Sequence, residues 1–279
     1  GRVSALSYDF ANATADMTDV NGHGTATAGL IADLTPDEVD VMVLRVYGDD
    51  NLSKPSRVLT ALEYALENGA AVVNMSLGWP NAIEKGYSFL NTVLAQAYAS
   101  GVVVVTAAGN RSQSNPTGDA DDVYPANQAA ALTVSAVDRS RTFDDTYSAS
   151  GASVDLCAPG TGVAVAALSG GMTVRSGTSF AAPHVAAAAA CGGRGAGNLF
   201  HGEGERVVFG TRRVREREGV RSEEPRFGDA GAHRDALTGQ IGCDGTGVRR
   251  IEREARDALR ERFATDHAEA APRGLSGNA

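Results

Sequence analysis

The sequence has no apolar run near the roughly 18 residues that a membrane-spanning helix requires, and no basic segment followed by an apolar one opens it. We therefore expect no membrane association. Cysteine is also scarce: Cys157, Cys191 and Cys243 are odd in number and lack the spacing of a metal site. This scarcity argues against a disulfide framework. What remains is the composition of an ordinary globular protein, since 43% of the 279 residues are hydrophobic and permit a sizeable core.

Lysine is nearly absent, with only Lys54 and Lys85 in the whole chain. Residues 1–190 carry 19 Asp and Glu against 9 Lys and Arg, a net charge of −10, and 15 of these acids are Asp. Residues 191–279 carry 15 acids against 16 Arg, a net charge of +1, which together with −10 gives the −9 of the whole chain. Concentrated salt screens the repulsion within an Asp-rich, Lys-poor surface, so we hypothesise a halophilic source. The balanced charge of the second part argues against nucleic-acid binding.

The last 89 residues lack the composition of a folded unit. Only 15 of them are Leu, Ile, Val or Phe, below the roughly one-fifth that accompanies folding. A short helix is the one regular element expected there, with an apolar face formed by Ile251, Ala255, Leu259 and Phe263. We interpret the chain as a folded domain over residues 1–190, followed by an Arg/Gly-rich, poorly ordered tail over residues 191–279.

In the first 190 residues, apolar strands alternate with helices. Strands are predicted over residues 39–47, 71–77, 102–106, 132–137 and 154–157, and a hairpin over 163–165 and 172–174. Helices are predicted over residues 23–32, 56–68 (capped by Ser56) and 86–99, and from Thr178 or Ser179 to 190. Continuous apolar strands are buried on both faces, so the pattern predicts an α/β fold: a doubly wound, mostly parallel sheet with helices on both faces.

Three short segments contain residues suited to chemistry. Ser179 lies where a glycine turn enters an alanine-rich helix, beside unpaired amides and the positive end of the helix dipole, which stabilise negative charge. Pro183 fits only near such a helix start. His23 lies between two glycines at the start of another helix, and Asn110 follows a buried apolar strand. Ser179 alone would more often be a helix cap, and the structural alternative for Asn110 is a turn residue after a strand, although its place after Ala-Ala-Gly favours a functional role.

Together, residues 21–32, 101–110 and 176–186 resemble the subtilisin-like serine proteases (subtilases, the peptidase S8 family) in wording and in the order His, Asn, Ser. The resemblance extends over about residues 3–190. It implies a subtilisin-like fold and an endopeptidase that cleaves polypeptides through a covalent acyl-enzyme.

The resemblance also implies which residues do the chemistry. Ser179 corresponds to the nucleophile, His23 to the general base and Asn110 to the side-chain donor for the oxyanion. His184 lies on the nucleophile helix itself, so a structural role is expected for it. No cofactor is implied for the chemistry, and a structural calcium ion stays open, assigned to no residue.

Substrate binding is implied in two further segments. Ser76, Leu77 and Gly78 resemble the family segment whose backbone pairs with an extended substrate. The small residues that precede Asn110 are expected to form a wall of the pocket beside the scissile bond: Ala107, Ala108 and Gly109. The resemblance further implies a secreted protein, and we expect a monomer.

The sequence departs from the family pattern before the histidine. The family has an Asp followed by Ser/Thr-Gly there, and no such motif precedes His23. Asp9 lies in a different context, and Asp16 and Asp19 are too close to His23 in a loop, so no catalytic Asp is assigned. We expect that the chain begins after this motif and that, as written, it is weakly active or inactive. A non-catalytic peptide-binding pseudoprotease and a truncated product without a stable fold are the alternatives.

Overall fold

The structure is a computed structural model that describes residues 2–80 and 88–192. Its helices are α1 (His23–Leu34), α2 (Pro55–Glu67), α3 (Ser88–Ala99) and α4 (Thr178–Gly192). Its strands are β1 (Tyr8–Asp9), β2 (Leu44–Arg45), β3 (Val72–Met75), β4 (Trp79–Pro80), β5 (Val103–Ala107), β6 (Val123–Tyr124), β7 (Leu132–Val137), β8 (Leu156–Pro159), β9 (Val163–Ala166) and β10 (Met172–Arg175). The predictions for residues 193–279, including the helix near Ile251, lie outside the described residues.

A parallel four-stranded sheet forms the centre of the fold, in the order β3-β5-β7-β8. Asn74 of β3 lies opposite Val105, and Val134 of β7 lies opposite Leu156. Every residue of β5 and β7 is buried, as expected for strands covered on both faces. The parallel sheet predicted from the continuous apolar runs is therefore confirmed.

Helices cover both faces of this sheet. On one face, Ala181 and Val185 of α4 pack against a buried cluster that includes Val134 of β7. On the other face, Leu62 of α2 and Leu94 of α3 belong to a second buried cluster. The α4 residues against the sheet are mostly alanine, so the helix lies close to the strands and its first turn has a fixed position.

Helix α1 lies beside α4 rather than directly on the sheet. Ala26 and Leu30 of α1 form a buried cluster with Val163 and Val165 of β9 and with Phe180 of α4. Strands β9 and β10 form the antiparallel hairpin that the sequence predicts. This packing brings the first residue of α1 next to the first turn of α4.

Two predictions fail in detail. The strand predicted over residues 39–47 reduces to β2, which pairs with β1 in a separate two-stranded sheet. The reason is the lack of a partner, since apart from one bridge at Val41 no described strand pairs with the rest of that run. Ser56 does not cap α2: the helix begins at Pro55, after Lys54, without a side-chain cap, because proline is suited to the first helical position.

Candidate active site

The first turn of α4 is anchored to the end of β5. The main-chain amide of Thr178 donates to Oδ1 of Asn110 at 3.0 Å, and the Thr178 hydroxyl donates to the same oxygen at 3.2 Å. The amide of Phe180 donates to the carbonyl of Gly177 at 3.0 Å. Between them, the amide of Ser179 has no hydrogen-bond partner among residues 2–80 and 88–192. This amide is therefore available to a ligand.

Asn110 is oriented by the same contacts. With Oδ1 accepting from Thr178, the Nδ2 group has no hydrogen-bond partner among the described residues, and it lies 3.8 Å from where a Cβ atom on Gly177 would be. Asn110, Ser179 and His23 line one open cavity of about 430 Å³. The structure thus brings together the three residues that the resemblance assigns to catalysis.

His23 is the first residue of α1, and its imidazole packs against the ring of Phe180 with the two ring centroids 5.7 Å apart. Gly22 precedes it with a φ of 89°, a conformation that favours glycine. In the part of the chain that the structure describes, the imidazole makes no hydrogen bond to the Ser179 hydroxyl or to a carboxylate. The ring lies in the right cavity but is held by packing alone.

The surroundings of His23 lower its pKa below the ordinary value. Burial of the half-buried ring is the largest cause, and the positive charge of Arg175, which lines the same cavity, adds to it. The negative charge of Asp19 acts in the opposite direction. The imidazole is accordingly neutral at pH 7, the state that a general base requires.

Asp19 holds the backbone beneath the histidine. Its carboxylate accepts hydrogen bonds from the amides of Asn21 and Gly22 and from both the amide and the hydroxyl of Thr25. Burial by itself raises the pKa of Asp19, but these hydrogen bonds outweigh it and lower the pKa to about 2. Asp19 therefore anchors the start of α1.

The other two aspartates considered before His23 have structural contacts as well. Asp9 is buried and pairs with Arg45 at 2.9 Å. Asp16 accepts hydrogen bonds from Thr18, which lower its pKa. Neither carboxylate contacts the ring of His23, so the structure gives none of the three aspartates the place of a triad member.

Comparisons with known proteins identify the family of the chain. The model of the subtilase family matches residues 4–198. The chain belongs to the subtilase family. Subtilisin DY of Bacillus licheniformis is 37% identical over 182 residues, covering 62% of this chain and 64% of that protein. Alkaline elastase YaB of Bacillus sp. (strain YaB) is 36% identical over 183 residues, covering 63% of this chain but only 46% of that protein. The chain thus spans about half to two thirds of the curated relatives that it matches.

Solved structures show the same fold. A cold-adapted subtilisin-like serine proteinase superposes with a TM-score of 0.59 at 34% identity, covering 68% of this chain and 67% of that one. A lanthipeptide protease superposes with a TM-score of 0.60, covering 68% and 66%, but at 23% identity this likeness concerns the fold alone.

A second cavity of this subtilase, about 230 Å³, lies against Ser179 and Asn110. Four of the residues predicted for substrate binding line it: Leu77, Gly78, Ala107 and Gly109. Two do not. Ala108 is fully buried in a cluster with Ala120 and Ala149, and Ser76 directs its hydroxyl to the main chain of Ser179. The substrate-binding role of all six stays a prediction.

Sequence reasoning missed the residue that limits this second cavity. Val123 of β6 lies between the two glycines: a Cβ atom on Gly78 would meet one of its methyl groups at 2.9 Å, and a Cβ on Gly109 would meet the other at 2.9 Å. Strand β6 is held there by pairing with β4. No local pattern indicates this contact, because it joins three distant segments. Arg175, beside His23, was missed for the same reason.

In residues 2–80 and 88–192, no group of three or more His, Cys, Asp and Glu side chains is arranged to hold a metal ion. In the same residues, no helix combines the length and the apolar character needed to cross a membrane.

Proposed function

We propose that this subtilase is the catalytic part of a serine endopeptidase, with Ser179 as nucleophile, His23 as general base and Asn110 as oxyanion donor. The observation that best supports the proposal is the pair of unengaged donors beside the nucleophile. The amide of Ser179 and Nδ2 of Asn110 belong to residues that line the same cavity as His23. Two such donors and a base around one hydroxyl are what acyl transfer needs.

The reaction follows from these positions. His23 accepts the proton of the Ser179 hydroxyl as the oxygen attacks the carbonyl carbon of a peptide bond. The carbonyl oxygen becomes an oxyanion and accepts hydrogen bonds from the two N–H donors. The protonated His23 then gives its proton to the leaving amine, and the C–N bond breaks. His23 then takes a proton from water as the water attacks the acyl carbon, and it gives that proton to the Ser179 oxygen as the ester C–O bond breaks, which frees the acid product and Ser179.

We also propose that the chain as written is weakly active. A carboxylate that accepts a hydrogen bond from the base holds the imidazole in the productive tautomer and stabilises its protonated form. No carboxylate among the described residues reaches the ring of His23, and Arg175 disfavours the protonated form. Hydrogen-bond donors lie beside Ser179, whereas no carboxylate in the described residues orients its proposed base, His23.

The substrates proposed are polypeptides in extended conformation, lying along residues 76–78 and 107–109, where backbone groups supply affinity. Residues 1–190 are proposed as the catalytic unit, and residues 191–279 as a tail that the chemistry does not use. A monomer without nucleic-acid or membrane partners, secreted from the cell, is the form that the family resemblance favours.

Covalent labelling tests the proposal. The full chain is treated with a fluorophosphonate probe, and the modified residue is identified by mass spectrometry. We expect labelling at Ser179, its loss in Ser179→Ala and strong slowing in His23→Ala. Ser176→Ala is the matched control, because Ser176 lines the same cavity but has its oxygen engaged by the amide of Gly162. A folded chain that takes no label, or takes it at another serine, contradicts the proposal.

A non-catalytic peptide-binding pseudoprotease is the second candidate function. The unsupported imidazole of His23 is the observation that favours it, since a binding module does not need an oriented base. Peptide binding at the second cavity without labelling of Ser179 is the result that distinguishes it.

A further inference from the structure

Helix α4 contains a proline at a position that concerns the nucleophile directly. Pro183 lies four residues after Ser179. In an α-helix, the amide of residue i+4 donates to the carbonyl of residue i. Proline has no amide hydrogen, so the carbonyl of Ser179 lacks the i+4 hydrogen bond of a regular helix. A carbonyl in this interior position needs a donor from elsewhere in the fold.

Ser76 supplies that donor. Its hydroxyl donates to the main-chain oxygen of Ser179 at 2.7 Å, across 103 positions of sequence. The Nδ2 group of Asn74 donates to the same hydroxyl oxygen at 3.0 Å. Because Asn74 occupies a lone pair of that oxygen, the single proton of Ser76 is directed at Ser179. Strand β3, which ends just before Ser76, is thereby joined to the start of α4.

Hydrogen bonds thus hold the main chain both before and after Ser179. Asn110 fixes the amide of Thr178, which precedes Ser179, and Ser76 fixes the carbonyl of Ser179 itself. The orientation of that carbonyl sets the ψ torsion of Ser179. The Gly177–Thr178 and Ser179–Phe180 peptide groups are thus both held, which restricts the backbone that carries the Ser179 hydroxyl and amide.

We propose that Ser76 is a positioning residue for the nucleophile, replacing the amide hydrogen that Pro183 lacks. This inference rests on the proposed function, because it assigns Ser76 a role in keeping Ser179 aligned with His23 and Asn110. It gives the side chain of Ser76 a task separate from the backbone pairing with substrate that the sequence predicts for residues 76–78.

A double-mutant cycle tests whether the Ser76 hydroxyl takes the place of the amide hydrogen that Pro183 lacks. The rate of fluorophosphonate labelling of Ser179 is measured in the full chain, in Ser76→Ala, in Pro183→Ala and in the double variant. We expect Ser76→Ala to slow labelling about tenfold, since one hydrogen bond is lost and a carbonyl is left unpaired. Pro183→Ala alone should change the rate little. The double variant should recover most of the rate, because the amide of the new alanine donates to the Ser179 carbonyl.

Two controls separate positioning from general stability. Ser76→Thr keeps the hydroxyl and should label close to the unsubstituted rate. Ser53→Ala removes a matched bond, a serine hydroxyl that donates to the carbonyl of Val46 at 2.7 Å away from the site, and should leave the rate unchanged under folding conditions. Peptide affinity, read from the single tryptophan Trp79 in the second cavity, should stay unchanged in Ser76→Ala.

Each outcome decides the inference. Additive effects of Ser76→Ala and Pro183→Ala, or an unchanged rate in Ser76→Ala, overturn it. If the unsubstituted chain takes no label, the proposed function fails, and hydrogen exchange at the amides of residues 179–182 then tests Ser76. If these amides exchange faster in Ser76→Ala and return to the unsubstituted rate in the double variant, the result supports the role of Ser76 in fixing the start of α4. Unchanged exchange in Ser76→Ala overturns it.

Discussion

The site consists of two halves that are held in different ways. The nucleophile half contains Asn110, residues 76–78 and the start of α4, and hydrogen bonds join it to two strands of the central sheet. The histidine half contains β1, β2 and α1, and its functional ring rests on Phe180 without a hydrogen bond in the described residues. A hydrogen-bonded group keeps its direction, whereas a packed ring keeps its place but can rotate. Ser179 is therefore better defined than its base.

The charges differ between the halves as well. The nucleophile half presents N–H donors to a developing negative charge, which is favourable. The histidine half places Arg175 near an imidazole that must become positive during the reaction, which is unfavourable. On the proposed mechanism we expect the histidine half to limit the rate, because Arg175 disfavours the protonated imidazole and no carboxylate among the described residues reaches the ring.

Removing the donor of the nucleophile half should have the largest effect. Asn110→Ala should lower kcat by about 10²- to 10³-fold with little change in KM, a magnitude known from the oxyanion donor of subtilisin, a member of this same family. Asn110→Asp is the matched variant, because it keeps an oxygen for Thr178 but loses the N–H donor, and it should lose at least as much. Kinetics with a peptide substrate give both constants. An effect on KM alone contradicts the assignment.

Enlarging the pocket of the nucleophile half should change selectivity by less. Val123 fills the space between Gly78 and Gly109, so Val123→Gly should raise kcat/KM for a substrate with Phe before the scissile bond, relative to one with Ala, by about tenfold. Val3→Gly, at an exposed position that lines neither cavity, is the control. An unchanged ratio of the two substrates means that the side chain is bound elsewhere.

The two halves also differ in how far the sequence predicts them. The nucleophile half follows from local patterns: the strand predicted over residues 102–106, which leads to Asn110, is present as β5, and the glycine turn before Ser179 opens a helix as expected. These elements are buried on both faces or end at strong turn signals. Their local sequence preference and their environment in the fold therefore favour the same secondary structure. In the histidine half, the apolar run over residues 39–47 found partners for only part of its length, and propensity alone overestimated the strand.

Contacts between distant segments were beyond sequence reasoning in both halves. Pro183 was expected only near a helix start, yet it is the sixth residue of α4, and its tolerance depends on a hydroxyl from Ser76. Ser76 itself was predicted from its backbone alone. The charge of Arg175 beside His23 likewise arises when the hairpin of β9 and β10 folds against α1. The roles of residues such as Ser76 and Arg175 follow from contacts between distant segments, so the sequence alone does not reveal them.

Loosening the histidine half should reduce stability moderately. Asp19→Ala removes four hydrogen bonds from the loop and the start of α1 and should lower the free energy of unfolding by about 1–2 kcal/mol, as loss of a helix cap does. Asp16→Ala removes an exposed carboxylate whose hydrogen bonds within residues 2–80 and 88–192 are to Thr18, so it is the control and should have little effect. Urea unfolding measures both, and equal effects contradict the role given to Asp19.

The same carboxylate predicts a dependence on acid. The pKa of Asp19 is about 2 in the folded chain, below its ordinary value of 3.8, so its contribution to stability is present above pH 3.8. That contribution is lost as the pH falls from 3.8 toward 2. The stability difference between the unsubstituted chain and Asp19→Ala should therefore shrink over this range.

The smallest expected effect comes from removing the positive charge beside His23 in the histidine half. Arg175 lowers the pKa of His23, so Arg175→Gln should raise it and move the acid limb of the pH–rate profile to higher pH. Because the neutral imidazole is the active form, the variant should label more slowly than the unsubstituted chain below pH 6.5, by a factor of about 2 to 3, and equally fast above pH 8. Arg139→Gln, exposed and outside both cavities, should leave the profile unchanged. A shift of the limb to lower pH would show that Arg175 acts on His23 through something other than its charge.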